Sequence, residues 1–112
     1  MARSRPQKTL PRSATVFAAL GDETRLRVVT RLGKEGPLSL ARLTEGEVVT
    51  RQAVSKHLHV LEQAGLVEGK REGREQLWRL SANGLSEARG LLDQISEQWD
   101  ETLLRLKAFV ER

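Results

Sequence analysis

Apolar residues recur along this chain in short runs at helical spacing, and most runs begin or end at a residue with a local reason to do so. From Ala14 the stretch ATVFAAL is apolar. After Gly21, DETRLRVVTRL places Leu26, Val29 and Leu32 on one helical stripe, with Asp22 positioned as an N-cap. Two helices meeting at Gly21 are predicted. Gly33 and the Gly36-Pro37 pair then interrupt, and Ser39 is placed to cap a brief helix over Leu40–Thr44. Thr50 opens RQAVSKHLHVLEQA, where Val54, Leu58 and Leu61 recur at i, i+4 and i+7 and Gly65 supplies a left-handed stop. Next, LVEGKR and REQLWRL flank Glu72-Gly73 and read as two short strands joined by a tight turn.

From about Ser81 the pattern changes scale. Leu85, Ala88, Leu92, Ile95, Trp99, Leu103, Leu106 and Val110 follow one another at spacings of 3, 4, 3, 4, 4, 3 and 4, close to a heptad seam. A helix from Leu85 to Val110 would run roughly 38 Å, longer than one small domain covers. The stripe is therefore expected to be part core and part interface to another chain, with Leu92, Ile95, Trp99, Leu103 and Leu106 as the dimer interface; the alternative is that it wraps over the first helices of its own chain. The organisation predicted is a flexible basic arm over residues 1–13, a folded domain over 14–84 and a C-terminal dimerisation helix over 85–112.

Composition narrows the chemistry. The 112 residues include no Cys, which removes disulfides, thiolate metal sites and Cys nucleophiles, and makes the cytoplasm the default compartment. No long apolar run suggests a membrane partner. Only 4% of residues are aromatic, too few for single-strand stacking platforms. Charge is unevenly spread: 15 basic face 9 acidic residues up to position 84, and 4 face 6 beyond it. A cationic front suits a polyphosphate.

The order of elements gives that charge a geometry. A short capped helix, a turn, a second helix with an apolar back and then a basic hairpin make the layout of a winged helix-turn-helix, mainly α with a small β-hairpin wing. With Val54, Leu58 and Leu61 turned inward, Arg51, Gln52, Ser55, Lys56 and His59 lie toward the outer side, able to reach base edges in a major groove. Arg51 suits guanine and Gln52 adenine. Thr50 can cap the helix, and the neighbouring N–H groups favour a phosphate.

TRQAVSKHLHVLEQAGLVEGKREGREQLWRLS resembles the recognition helix and wing of the ArsR/SmtB family of bacterial winged-helix repressors, and FAALGDETRLRVVTRL resembles that family's opening helix pair. The resemblance implies a homodimeric repressor on double-stranded DNA, its two recognition helices entering successive major grooves of an imperfect palindrome. It places the DNA-reading positions on Arg51, Gln52, Ser55, Lys56 and His59, with Lys70, Arg71 and Arg74 on the wing.

Departures from the family pattern bear on what is sensed. Metal-sensing members use a Cys pair near the recognition motif, or His and carboxylates on the terminal helices. Here Ala41–Val48 has no Cys and Ser81–Arg112 no His, so no metal or other cofactor is expected. Asp93, Glu97, Asp100 and Glu101 read as the solvated face of a long helix rather than a hard-cation site. His57 and His59 point about 200° apart and cannot share an ion; His57 reads as structural. Trp99 reads as an interface anchor, and a dimer cavity beside it is the first place to look for a small-molecule effector. A winged-helix module for protein or RNA would use the same surface. Catalysis is not expected, since Gly33-Lys34-Glu35-Gly36 is no phosphate loop and Cys is absent.

Overall fold

In the computed structural model, which describes the backbone of residues 9–111 and the side chains of residues 14–111, local signals place most element ends. The order is α1 (Thr9–Leu20), α2 (Glu23–Glu35), β1 (Leu38–Ser39), α3 (Leu40–Thr44), α4 (Arg51–Gln63), β2 (Val67–Glu72), β3 (Glu75–Leu80) and α5 (Ala82–Val110). Four helices carry the side-chain cap their sequence offers: Asp22 accepts from the Arg25 N–H, Ser39 from Arg42, Thr50 from Ala53 and Ser81 from Gly84. Gly65, at φ 80°, turns the chain out of α4.

Four features differ from the expectation. Helix α1 begins at Thr9 rather than Ala14, so the predicted flexible arm is helical at its end, while its residues 1–8 lie outside those described. Pro11 falls in the first turn, where no intrahelical N–H donor is needed. The wing is a sheet of three strands in the order β1-β3-β2, all antiparallel, because Leu38 and Ser39 pair with Trp78 and Leu77. Its hairpin turns on Gly73-Arg74, one residue later than expected: Glu72 pairs with Glu75, and Gly73 has the positive φ of 63° that a two-residue turn requires at its first position. Finally, Leu26 is 50% exposed and Val28 fully buried, so α2 presents the stripe 25, 28, 29 and 32 to the core. Arg25 opens that stripe because acceptors on α1 and α4 lie inside it.

The core joins Val28 and Leu32 from α2, Leu43 from α3, Val54, Leu58 and Leu61 from α4, and Leu66, Val67 and Trp78 from the wing. Each fully buried leucine is worth about 1.5–3 kcal/mol over leaving it in water. Helix α1 adds Val16 and Ala19, whereas α5, 29 residues long, buries only Gly84 and Ala88. Two close approaches fix the wing and α5. A Cβ on Gly69 would press on Gln76 and on the ring of Trp78, its cross-strand partner; one on Gly84 would overlap the Gly65 carbonyl.

Arginines of α2 lace the helix-turn-helix together. Arg27 grips the almost buried Glu47 carboxylate through Nε and Nη2, the latter at 2.9 Å. That hydrogen bond, foremost, raises the Arg27 pKa. Arg31 Nη1 donates to the carbonyls of Leu43 (3.2 Å) and Glu45 (3.0 Å), satisfying acceptors left over at the end of α3. Part of the cationic front is thus spent on internal structure.

Candidate nucleic-acid interface

Helix α4 sets the site, since its buried stripe determines what faces out. Successive residues advance about 100° around the axis. With Val54, Leu58 and Leu61 inward, Gln52 and Lys56 centre on the opposite face, and both are exposed. Arg51, Ser55 and Glu62 lie on the flank toward the wing, and His59 between the two sets.

A groove of about 410 Å³ runs between that flank, the start of α3 and the wing. It gathers five of the sequence-predicted residues: Arg51, Ser55 and His59 from α4, and Arg71 and Arg74 from the wing. Gln52, Lys56 and Lys70 are exposed but outside its lining, and Thr50 is occupied as the N-cap, its hydroxyl 3.1 Å from the Ala53 N–H. The N–H groups of Arg51 and Gln52 lie in the first turn of α4, where intrahelical acceptors are lacking.

His59 is held in one orientation. Its Nδ1 lies 2.8 Å from the Ser55 carbonyl, which can only accept, so Nδ1 carries a proton and Nε2 is left toward the surroundings. The ring stands edge-on to Trp78, centroids 6.1 Å apart. Among the described residues, Arg51, Lys56, Lys70, Arg71 and Arg74 have no ion-pair partner, whereas Arg79 on the wing is tied to Glu68 at 3.0 Å.

Glu62, Glu75 and Gln76 also line the groove and were not among the residues predicted. Glu62 was within reach of the sequence, because it continues the stripe of Arg51 and Ser55 at i+11 and i+7. Glu75 and Gln76 depend on strand register. Behind α4, His57 points to Arg25 and Asp22, away from His59. The Asp22 pKa is lowered, chiefly by its hydrogen bond from the Arg25 backbone N–H and further by the charge of Arg25. Among the described residues no cluster of three or more His or acidic side chains could hold a metal ion, and no helix is long and apolar enough to cross a membrane.

The capped α3, the turn, α4 and the hairpin define a winged helix-turn-helix. Residues 20–70 match the family model described as a helix-turn-helix domain. The chain is 45% identical over 65 residues to the HTH-type transcriptional regulator YuzN of Bacillus subtilis, covering 53% of this chain and 71% of that one. Its structure is similar to an ArsR-like transcriptional regulator from Rhodococcus sp. RHA1, with TM-score 0.74, 39% identity and 90% and 94% of the two chains covered. It is also similar to the homodimeric winged helix-turn-helix DNA-binding domain of Mb0332 from Mycobacterium bovis, with TM-score 0.66, 25% identity and 88% and 92% covered. The chain belongs to the ArsR/SmtB family of helix-turn-helix transcriptional regulators, which are not enzymes.

Proposed function

We propose that the protein is a homodimeric repressor that binds a palindromic operator in double-stranded DNA and blocks polymerase there. The observation that carries the reading is the groove in which Arg51, Ser55 and His59 of α4 meet Arg71 and Arg74 of the wing, beside the exposed Gln52 and Lys56. Side chains of α4 are of the types that read base edges, and Lys70, Arg71 and Arg74 of the wing are of the type that contacts flanking phosphates. Thr50 orders the first turn of α4, whose N–H groups would take a phosphate.

Homodimerisation rests on α5. Leu92, Ile95, Trp99, Leu103 and Leu106 are between 38% and 63% exposed in the single chain, a contiguous apolar seam of the kind that a second copy covers. The Mb0332 domain, similar over most of this chain, is homodimeric. A twofold pair presents two α4 helices to half-sites one helical turn apart, about 10–10.5 bp, or a multiple of it.

The test is selection of genomic fragments by the purified protein, then competition against random duplex over a salt series. A twofold-symmetric motif is expected, with log affinity falling against log salt by roughly 0.9 per phosphate neutralised. Equal affinity for selected and random duplex at every salt concentration would remove the reading.

A further inference from the structure

The guanidinium of Arg25 reaches two other helices at once. Nε donates to the Ala19 carbonyl at 2.7 Å and Nη2 to the Ala18 carbonyl at 3.3 Å, both at the end of α1. Nη1 lies 3.1 Å from Nδ1 of His57 on α4. Its own backbone N–H is held by the Asp22 carboxylate at 3.0 Å, and that carboxylate stands 3.9 Å from the same His57 nitrogen. Arginine has donors and no acceptor, so His57 Nδ1 must be the acceptor and its ring proton sits on Nε2. His57 is therefore neutral in this arrangement.

The placement of this bond matters more than its strength. His57 lies on the side of α4 away from Gln52 and Lys56, so a tether there bears on the rotation of the helix about its axis. Burial of Val54, Leu58 and Leu61 selects which face of α4 turns outward, but apolar contact alone tolerates small rotations. A forked hydrogen bond narrows them. Helix α1, at the other end of the fork, packs against α5 as well as α4, so the tether joins the recognition helix to the element bearing the exposed seam.

We propose that Arg25 and His57 are a positioning pair: without touching DNA, they fix the angle at which α4 presents its outer side chains, and so set discrimination between sequences. The proposal rests on the DNA-binding reading above. Substituting Lys for Arg25 keeps the charge but cannot span two helices, and Leu at position 57 removes the acceptor; both remove the hydrogen-bonded link between α4 and the end of α1 while leaving their packing contact. Gln at position 57 restores an acceptor.

The experiment measures wild type, R25K, H57L and H57Q by fluorescence anisotropy against the selected operator and a random duplex, with circular dichroism and sedimentation monitoring fold and assembly. R25K and H57L are expected to lose roughly tenfold in the ratio of operator to random affinity, the scale of one hydrogen bond to a charged group, while random binding stays within about twofold. H57Q recovers most of the ratio. If R25K does not fold, the H57L and H57Q pair decides. An unchanged ratio in H57L, or an H57Q ratio no better than that of H57L, overturns the proposal. A wild type without operator preference overturns instead the DNA-binding reading on which it stands.

Discussion

Leu58 and Leu61 in α4 and Leu103 and Leu106 in α5 occupy the same kind of sequence position, an apolar stripe at helical spacing. The first pair is sealed in the core, and the second stands more than half exposed. Residue type and periodicity do not separate them. What separates them is reach: α5 is 29 residues long, about 43 Å, and leaves the winged body after its second turn, around Ala88. The same pattern thus means core where the body can cover it and an exposed apolar seam, proposed above for a second copy, where it cannot.

That contrast can be broken by mutation. L61A should lower the free energy of unfolding by about 2–5 kcal/mol, read by urea titration against wild type at one fixed protein concentration. The double change W99A/L103A should leave the winged body folded yet raise the dimer dissociation constant by roughly 100-fold or more, read by sedimentation. The two tryptophans make this easy to follow: Trp78 is buried in the wing, so its blue-shifted emission should survive when the exposed Trp99 is gone. A red shift in the double variant would mean that the distal helix supports the core after all.

A finer division runs within the face proposed to meet DNA. Q52A should reduce preference at one base position by about 1–3 kcal/mol in the operator. R71A and R74A should weaken all duplexes similarly, each lowering the salt slope by about one per site contacted. Base-by-base competition separates these outcomes. The smallest effect concerns Asp22, whose carboxyl titrates below its ordinary value of 3.8. A depressed carboxyl contributes stability that is present above that value and lost as pH falls through the folded one. D22N retains a capping side chain but no titration, so its stability should vary less than that of wild type on acidification below pH 3.8 in a thermal melt series.

How much of this was legible depended on whether the cause was local. Asp22, Ser39, Thr50 and Gly65 announce their helix ends because a cap or a left-handed turn acts within three or four residues. Strand β1 was not legible, because two residues become a strand only when β3 arrives beside them. The inward turn of Arg25 was hidden for the same reason: Leu26 looked like the core residue, and the acceptors that draw Arg25 in come from α1 and from a helix 32 positions away. At the DNA face, helical spacing placed Arg51, Ser55 and His59 on neighbouring sides of α4, but the register that brings Arg71, Glu75 and Gln76 against them belongs to the sheet.

Gly84 carries a last consequence. Because its missing side chain lets α5 start in backbone contact with Gly65, and Ser81 donates its N–H to the Leu66 carbonyl at 2.9 Å, the base of α5 is seated on the end of the recognition helix. A base seated this closely leaves the long helix little room to turn against α4. In the pair proposed above, the distance between the two α4 helices is then set in part within each monomer, a ruler partly cut before the partners meet. Even an alanine at position 84 would recalibrate it, and the natural readout is the half-site spacing that the dimer prefers.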